Sequence, residues 1–211
     1  TLDNGRGHAA YLGYLNLILS LYREVAPSNP YATLNDRISD ALARRMAASP
    51  NGLVETYPGE WYPMDNAPLL CSIALNARAR GNAASRAVAA LEKNYRLRTV
   101  DPKTGLLFQA LGASGEPRDQ PRGSGSALAA FYLSHGLPDL SREVFHAIQR
   151  NLEVNVLGFG AIREYPHGIN ESGDIDSGPV VFCFGFSATG FSLGAARASG
   201  DAALYRLLYA S

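Results

Sequence analysis

An excess of charge of either sign is the first thing this sequence lacks. Nineteen Lys and Arg stand against nineteen Asp and Glu, so the formal net charge over 211 residues is zero. No electrostatic field recommends nucleic acid or an anionic membrane, and no basic stripe with interleaved aromatics runs along the chain. Nucleic acid is therefore excluded as a partner. Cysteine is scarce as well, with Cys71 and Cys183 alone. Two cannot build a disulfide framework, and no C-x-x-C or Cys/His ligand spacing accompanies them; one bridge or two thiols both fit. "RGSGS" (122–126) lacks the spacing of a phosphate loop. "DID" (174–176), with a His nearby, lacks that of a calcium loop. No metal and no cofactor is expected. Charged residues make up 18% and apolar ones 46%, so much of the surface is buried, capped by loops or shared with a partner.

One long hydrophobic run is present. Residues 178–196 carry no charge and approach the length of a membrane span. Four glycines and "SATG" interrupt the run, which reads as a helix buried inside a soluble domain. The chain opens at Thr1 and closes on "LYRLLYAS", inside a helical pattern, so it reads as a processed or excised piece of a longer chain.

Helical patterns alternate with glycine-rich loops throughout. "HAAYLGYLNLILSLYREV" (8–25) is apolar almost all round, as an inner helix is, and amphipathic "YATLNDRISDALARRMAAS" (31–49) follows it. The pairing recurs at 67–81 with 83–97, at 126–136 with 139–154, and at 179–200 with the short helix after it. Four helical hairpins result. The loops before the apolar helices repeat too, as in "NGLVETYPGEWYPMDNAP" and "FGAIREYPHGINESGDIDSGP". Each ends in an acid: Asp3, Asp65, Asp119 and Asp176 recur at intervals of roughly fifty to sixty residues. Stacked hairpins with fully apolar inner helices need cover on all sides, which a closed or nearly closed ring supplies. The loops then gather at one end, where stretches such as "GLLFQAL" form small strands.

An Asp before a helix is first of all a cap. Pro68 and Pro179 suit a helix's first turn. The loop at 55–65 offers more than a cap: Tyr57, Glu60, Trp61, Tyr62 and Asp65 set aromatics beside carboxylates. Rings stack on the apolar faces of sugars while acids bind hydroxyls, and an apolar neighbour raises a carboxyl pKa as a general acid requires. Paired carboxylates across a cleft are the usual apparatus of glycoside hydrolysis. The loop at 163–179 adds Arg163, Glu164, Tyr165, His167, Glu171, Asp174 and Asp176. Tyr165 and His167 suit proton transfer. Arg163 suits either a substrate carboxylate or a salt bridge. His8 opens the first inner helix, and Arg122 precedes the third, where an anion can bind beside the helix N-terminus. Glu60, Asp65, Glu164 and Asp176 are the candidate acids and bases, with Tyr57, Tyr165 and His8 as supporting donors. Trp61, Tyr62, Arg122, Arg163 and His167 are candidate substrate ligands.

Helical hairpins with acidic loops at one end resemble the (α/α) barrel enzymes: glycoside hydrolases, polysaccharide lyases and uronyl epimerases. The resemblance implies an all-α single-domain (α/α) toroid over 1–211 and acid–base chemistry on a carbohydrate in the cavity below the loops. "YPGEWYPMDNAPLLC" is also similar in flavour to linalool dehydratase-isomerase, whose helical barrel acts on a terpene alcohol in an apolar cavity. Phe182, Phe184, Phe186 and Phe191 favour that alternative if they line the lumen. A helical-repeat binding module without catalysis is the third reading. Such barrels usually have six hairpins and this chain has about four. Either a missing segment or a second chain completes the ring, or the ring is open.

Overall fold

The computed structural model describes residues 2, 7–82, 85–169, 171–174 and 177–211. Among them lie eight helices: α1 (Ala9–Val25), α2 (Ala32–Ala48), α3 (Pro63–Ala79), α4 (Arg86–Thr99), α5 (Gly123–Leu133), α6 (Pro138–Leu152), α7 (Phe186–Ser199) and α8 (Ala202–Tyr209). Two small antiparallel hairpins interrupt the helices. β1 (Glu153–Val156) pairs with β2 (Phe159–Ile162), and β3 (Val180–Val181) with β4 (Phe184–Gly185). The molecule is mostly helical, as the alternating patterns predict.

The odd-numbered helices form a row in which α1 packs on α3, α3 on α5 and α5 on α7. Their composition explains the placement. Every residue of α3 from Asn66 to Asn76 is buried, and so is most of α5. Such helices have no polar face to offer solvent and settle in the middle. By contrast α6 buries one stripe, Leu140, Val144, Phe145, Ile148 and Leu152, and turns its charges outward. One continuous apolar cluster runs from Leu42 and Met46 through Leu69, Leu70 and Tyr95 to Leu133, Phe145 and Leu208. Gly13 makes the α1–α3 contact close: a Cβ there would sit 3.1 Å from the Leu69 backbone nitrogen.

A polar network lies between α1, α2 and α3. The Asn16 amide donates to Ser39 Oγ at 2.9 Å and to Ser72 Oγ at 2.8 Å. Asn35 donates to Asn16 Oδ1 at 2.9 Å and to Ser20 Oγ at 2.8 Å. Asn76 donates to Asn35 Oδ1 at 2.7 Å. All six residues of this network are buried, so each pairing avoids a desolvation cost.

The loops before the inner helices are laced together at one end. His8 N and Ala9 N, at the start of α1, donate to the carbonyls of Thr56 and Glu55 at 3.3 and 3.2 Å. Leu111 N donates to Trp61 O at 2.9 Å, and Gly123 N donates to Glu164 O at 2.7 Å. The orphan N–H groups that open α1 and α5 are thus satisfied by the following loop.

Three expectations need correction. α3 starts at Pro63, so Asp65 lies inside the first turn and Pro68 lies within the helix rather than opening it. The uncharged run is not one helix. Phe182 and Cys183 take left-handed φ values of 50° and 70°, turning the chain into the β3–β4 hairpin, and α7 begins only at Phe186. Third, "GLLFQAL" forms isolated bridges, Leu107 to Val100 and Phe108 to Pro121, rather than a strand.

Candidate active site at the loop end

Asp65 stands in the first turn of α3, where the helix dipole favours a carboxylate. Pro63, whose missing N–H costs nothing at that position, starts the helix. The Tyr95 hydroxyl from α4 donates to Pro63 O at 2.8 Å and holds the turn from beneath. The charge of Asp65 also acts on two phenols of the neighbouring inner helices. Tyr14 on α1 and Tyr132 on α5 meet edge to face with ring centroids 5.3 Å apart. Burial pushes the Tyr14 pKa well above the usual range, and the Asp65 charge pushes it further. The Tyr132 pKa is raised, first by burial and then by the Asp65 charge, with the neighbouring Tyr14 hydroxyl opposing the shift. Both phenols therefore keep their protons at neutral pH beside a half-buried carboxylate. A carboxylate of α3 thus acts on phenols of α1 and α5.

The 55–62 loop covers this group. Glu55 Oε1 accepts the Gly59 N–H at 2.6 Å and tightens the turn. Tyr57 is exposed, its ring edge-on to Tyr62 at 6.2 Å, and the Tyr62 hydroxyl donates to Glu60 Oε2 at 3.0 Å. Glu60 is exposed, and Trp61 is half-buried against the core. Carboxylate, phenol and indole thus share one rim.

A second cluster sits where α5 meets the 163–179 loop. Glu164 is fully buried. Its carboxylate accepts Ser124 O–H at 2.6 Å and Ser124 N–H at 3.3 Å, capping α5 from another loop. Burial pushes its pKa up to about 7, although Ser124 and the Arg122 charge favour the ionised form. Gly185 lies directly above, where a Cβ would come within 2.5 Å of Glu164 Oε2. Arg122 is buried, pairs with Asp119 at 2.5 Å and with Asp174, and lies 5.5 Å from the Tyr165 ring centroid. Tyr165 is buried, and its hydroxyl donates to Ser172 O at 3.3 Å. Arg163 Nε donates to Tyr165 O at 3.2 Å.

The expected site residues therefore divide. Tyr57, Glu60, Trp61, Tyr62 and Asp65 share the 55–65 segment. Arg122, Arg163, Glu164 and Tyr165 form the second cluster, where Arg122 is engaged by two carboxylates. Asp119 serves that ion pair and does not cap α5. His8 is exposed at the start of α1, with a left-handed φ of 65°. His167 is exposed on its loop. Asp176 and Asp3 lie outside the described residues. Tyr14, Tyr132 and Ser124 were not anticipated. A tyrosine in an otherwise apolar inner helix was the available signal, since a buried hydroxyl seeks a partner.

Elsewhere, Cys71 and Cys183 form no disulfide, and burial pushes the Cys71 thiol up to about 12, which makes it inert. Among the described residues no group of three His, Cys, Asp or Glu is placed to hold a metal ion. No helix there is long and apolar enough to cross a membrane. An apolar recess of about 410 Å³ lies beside the β3–β4 hairpin and is lined by Phe182, Phe184 and Phe186 but not Phe191. No protein-family model matches the chain, and no curated protein sequence matches it.

Proposed function

We propose that the chain is an enzyme acting on a carbohydrate by acid–base chemistry at the loop end of a helical toroid, or of an open section of one. The observation that carries this reading is Asp65 in the first turn of α3, directly after a loop that sets Tyr57, Tyr62 and Glu60 together, with its charge acting on the Tyr14–Tyr132 ring pair. In this reading Asp65 is the base, and the Tyr14–Tyr132 pair delivers a proton to a substrate oxygen. Glu60 is the second, solvent-facing acid. Tyr57, Tyr62 and Trp61 form the stacking surface for a sugar ring. Glu164, Arg122, Arg163 and Tyr165 hold the loop that closes the site from the α5 side. His8 is a supporting proton donor, Asp176 a further acid or base, and His167 a substrate ligand.

A second reading has its own observation. The recess lined by three phenylalanines suits an apolar substrate, as a terpenoid hydro-lyase or isomerase would need. Thermal melting against oligosaccharides, uronic acids and small terpenoids separates the two, because a ligand bound to the folded state raises the melting temperature. The carbohydrate reading predicts a rise with an oligosaccharide that disappears in Asp65→Asn and in Tyr132→Phe. A rise with terpenoids alone would replace it by the second reading.

A further inference from the structure

The two ends of the inner-helix row carry matching unfinished surfaces. At one end, Tyr11, Ile18, Tyr22 and Val25 lie along a single exposed stripe of α1, spaced by seven, four and three residues, with Ile18 64% exposed. Positions spaced this way form the contact seam of a helix packed on another helix. The chief helix neighbours of α1 are α2 and α3. Its buried residues Ala9, Gly13, Asn16 and Ser20 lie on the side opposite the stripe, which among the described residues touches the start of α2 only where the Tyr22 ring meets Tyr31. At the other end, α7 packs on α5, α6 and α8, and its remaining flank opens onto the apolar recess of about 410 Å³. Phe182, 87% exposed, and Phe186 rim that recess. Neither surface carries a charged residue.

A detail of the row indicates what fits there. Within it, a large side chain of one inner helix lies on a glycine of its neighbour: Leu69 of α3 on Gly13 of α1, and Phe131 of α5 on Gly194 of α7. Gly190, in the middle of α7 and lining the recess, has the same form with nothing within 4 Å of its Cβ position. A mid-helix glycine weakens the helix unless a neighbour comes close. The stripe on α1 has the large side chains such a neighbour needs.

We infer that two copies of this chain associate head to tail, the α1 stripe of one copy seating on the α7 recess of another. The contact continues the side-by-side row of inner helices and repeats the large-on-glycine packing seen between α1 and α3 and between α5 and α7. It is heterologous, so it closes a two-chain ring if the rotation permits and otherwise extends into an open assembly.

Sedimentation velocity over a concentration series tests this with Ile18→Glu and Gly190→Arg, which alter opposite faces at exposed positions. The wild-type chain should self-associate, and each variant alone should sediment as a monomer with unchanged helical circular dichroism. An equimolar mixture should recover a two-chain species, because one variant keeps the recess and the other keeps the stripe. Tyr22→Lys replaces Ile18→Glu should the latter lose helicity. A wild-type monomer at every concentration, association surviving either substitution, or folded variants that fail to pair when mixed would each overturn the inference.

Discussion

Asp65 and Glu164 are both carboxylates at the start of an inner helix, and their surroundings give them opposite parts. Asp65 is half-buried, and its charge is felt by the phenols of Tyr14, Tyr132 and Tyr95. Replacing it with Asn should let Tyr14 and Tyr132 ionise at lower pH, visible in an ultraviolet titration. The stability cost should be only about 0.3–1 kcal/mol, the usual value of an anion at a helix N-terminus. An unchanged tyrosine titration would remove Asp65 from the group. Glu164 is buried with a pKa raised to about 7 from 4.5. Between those values the folded state holds a proton that the unfolded state has lost. Its contribution to stability is therefore complete below about pH 4.5 and is lost as pH rises through about 7. The loss is of the order of 3 kcal/mol at 1.36 kcal/mol per pKa unit. Denaturant melts should show stability declining across that window in the wild type and a flatter profile in Glu164→Gln. The sequence exposed both residues as acids before inner helices, but could not tell them apart, because burial comes from Ser124 and Gly185, far away in the chain.

At the scale of elements, helical glycines and asparagines carry information that their residue type conceals. Gly13→Ala and Gly190→Ala gain the same helix propensity, about 1 kcal/mol. At Gly13 the added methyl meets the Leu69 backbone at 3.1 Å, whereas at Gly190 it meets open space. Chemical denaturation of the dilute, dissociated chain should show the first substitution destabilising and the second stabilising; equal signs would contradict the packing. Asn35 joins three helices through Asn16, Ser20 and Asn76. Asn35→Ala leaves buried partners unsatisfied at about 1–3 kcal/mol each, so it should lower the melting temperature more than a surface Asn→Ala. The hairpin pattern itself was legible, since apolar and amphipathic segments alternate throughout. The asparagine network was not, because a polar residue in a helix reads as solvent-facing until its partners on other helices are known. Nor was the break at Phe182–Cys183: a continuous apolar run looks alike whether it forms a buried helix or a short hairpin leading into one.

Over the whole molecule, the loop end is held together by hydrogen bonds that join the start of α1, the loop before α3 and the start of α5 each to the loop that follows. That gathering of loops was predicted from the repeated loop sequences, and it places the 55–65 segment beside α1 and α5. Half of the proposed site was thereby legible: Asp65 and its aromatic loop carry the motif. Tyr14 and Tyr132 were hidden within runs that composition assigns to the core, and only the side-by-side packing of α1, α3 and α5 brings them together. The most direct test is product formation from the oligosaccharide that most raises the melting temperature, followed by chromatography for the wild type, Asp65→Asn and Tyr132→Phe. The account predicts turnover by the wild type, loss of at least about a hundredfold in Asp65→Asn, as expected for removal of a general base, and an intermediate loss in Tyr132→Phe. Undiminished turnover in a folded Asp65→Asn chain would contradict it.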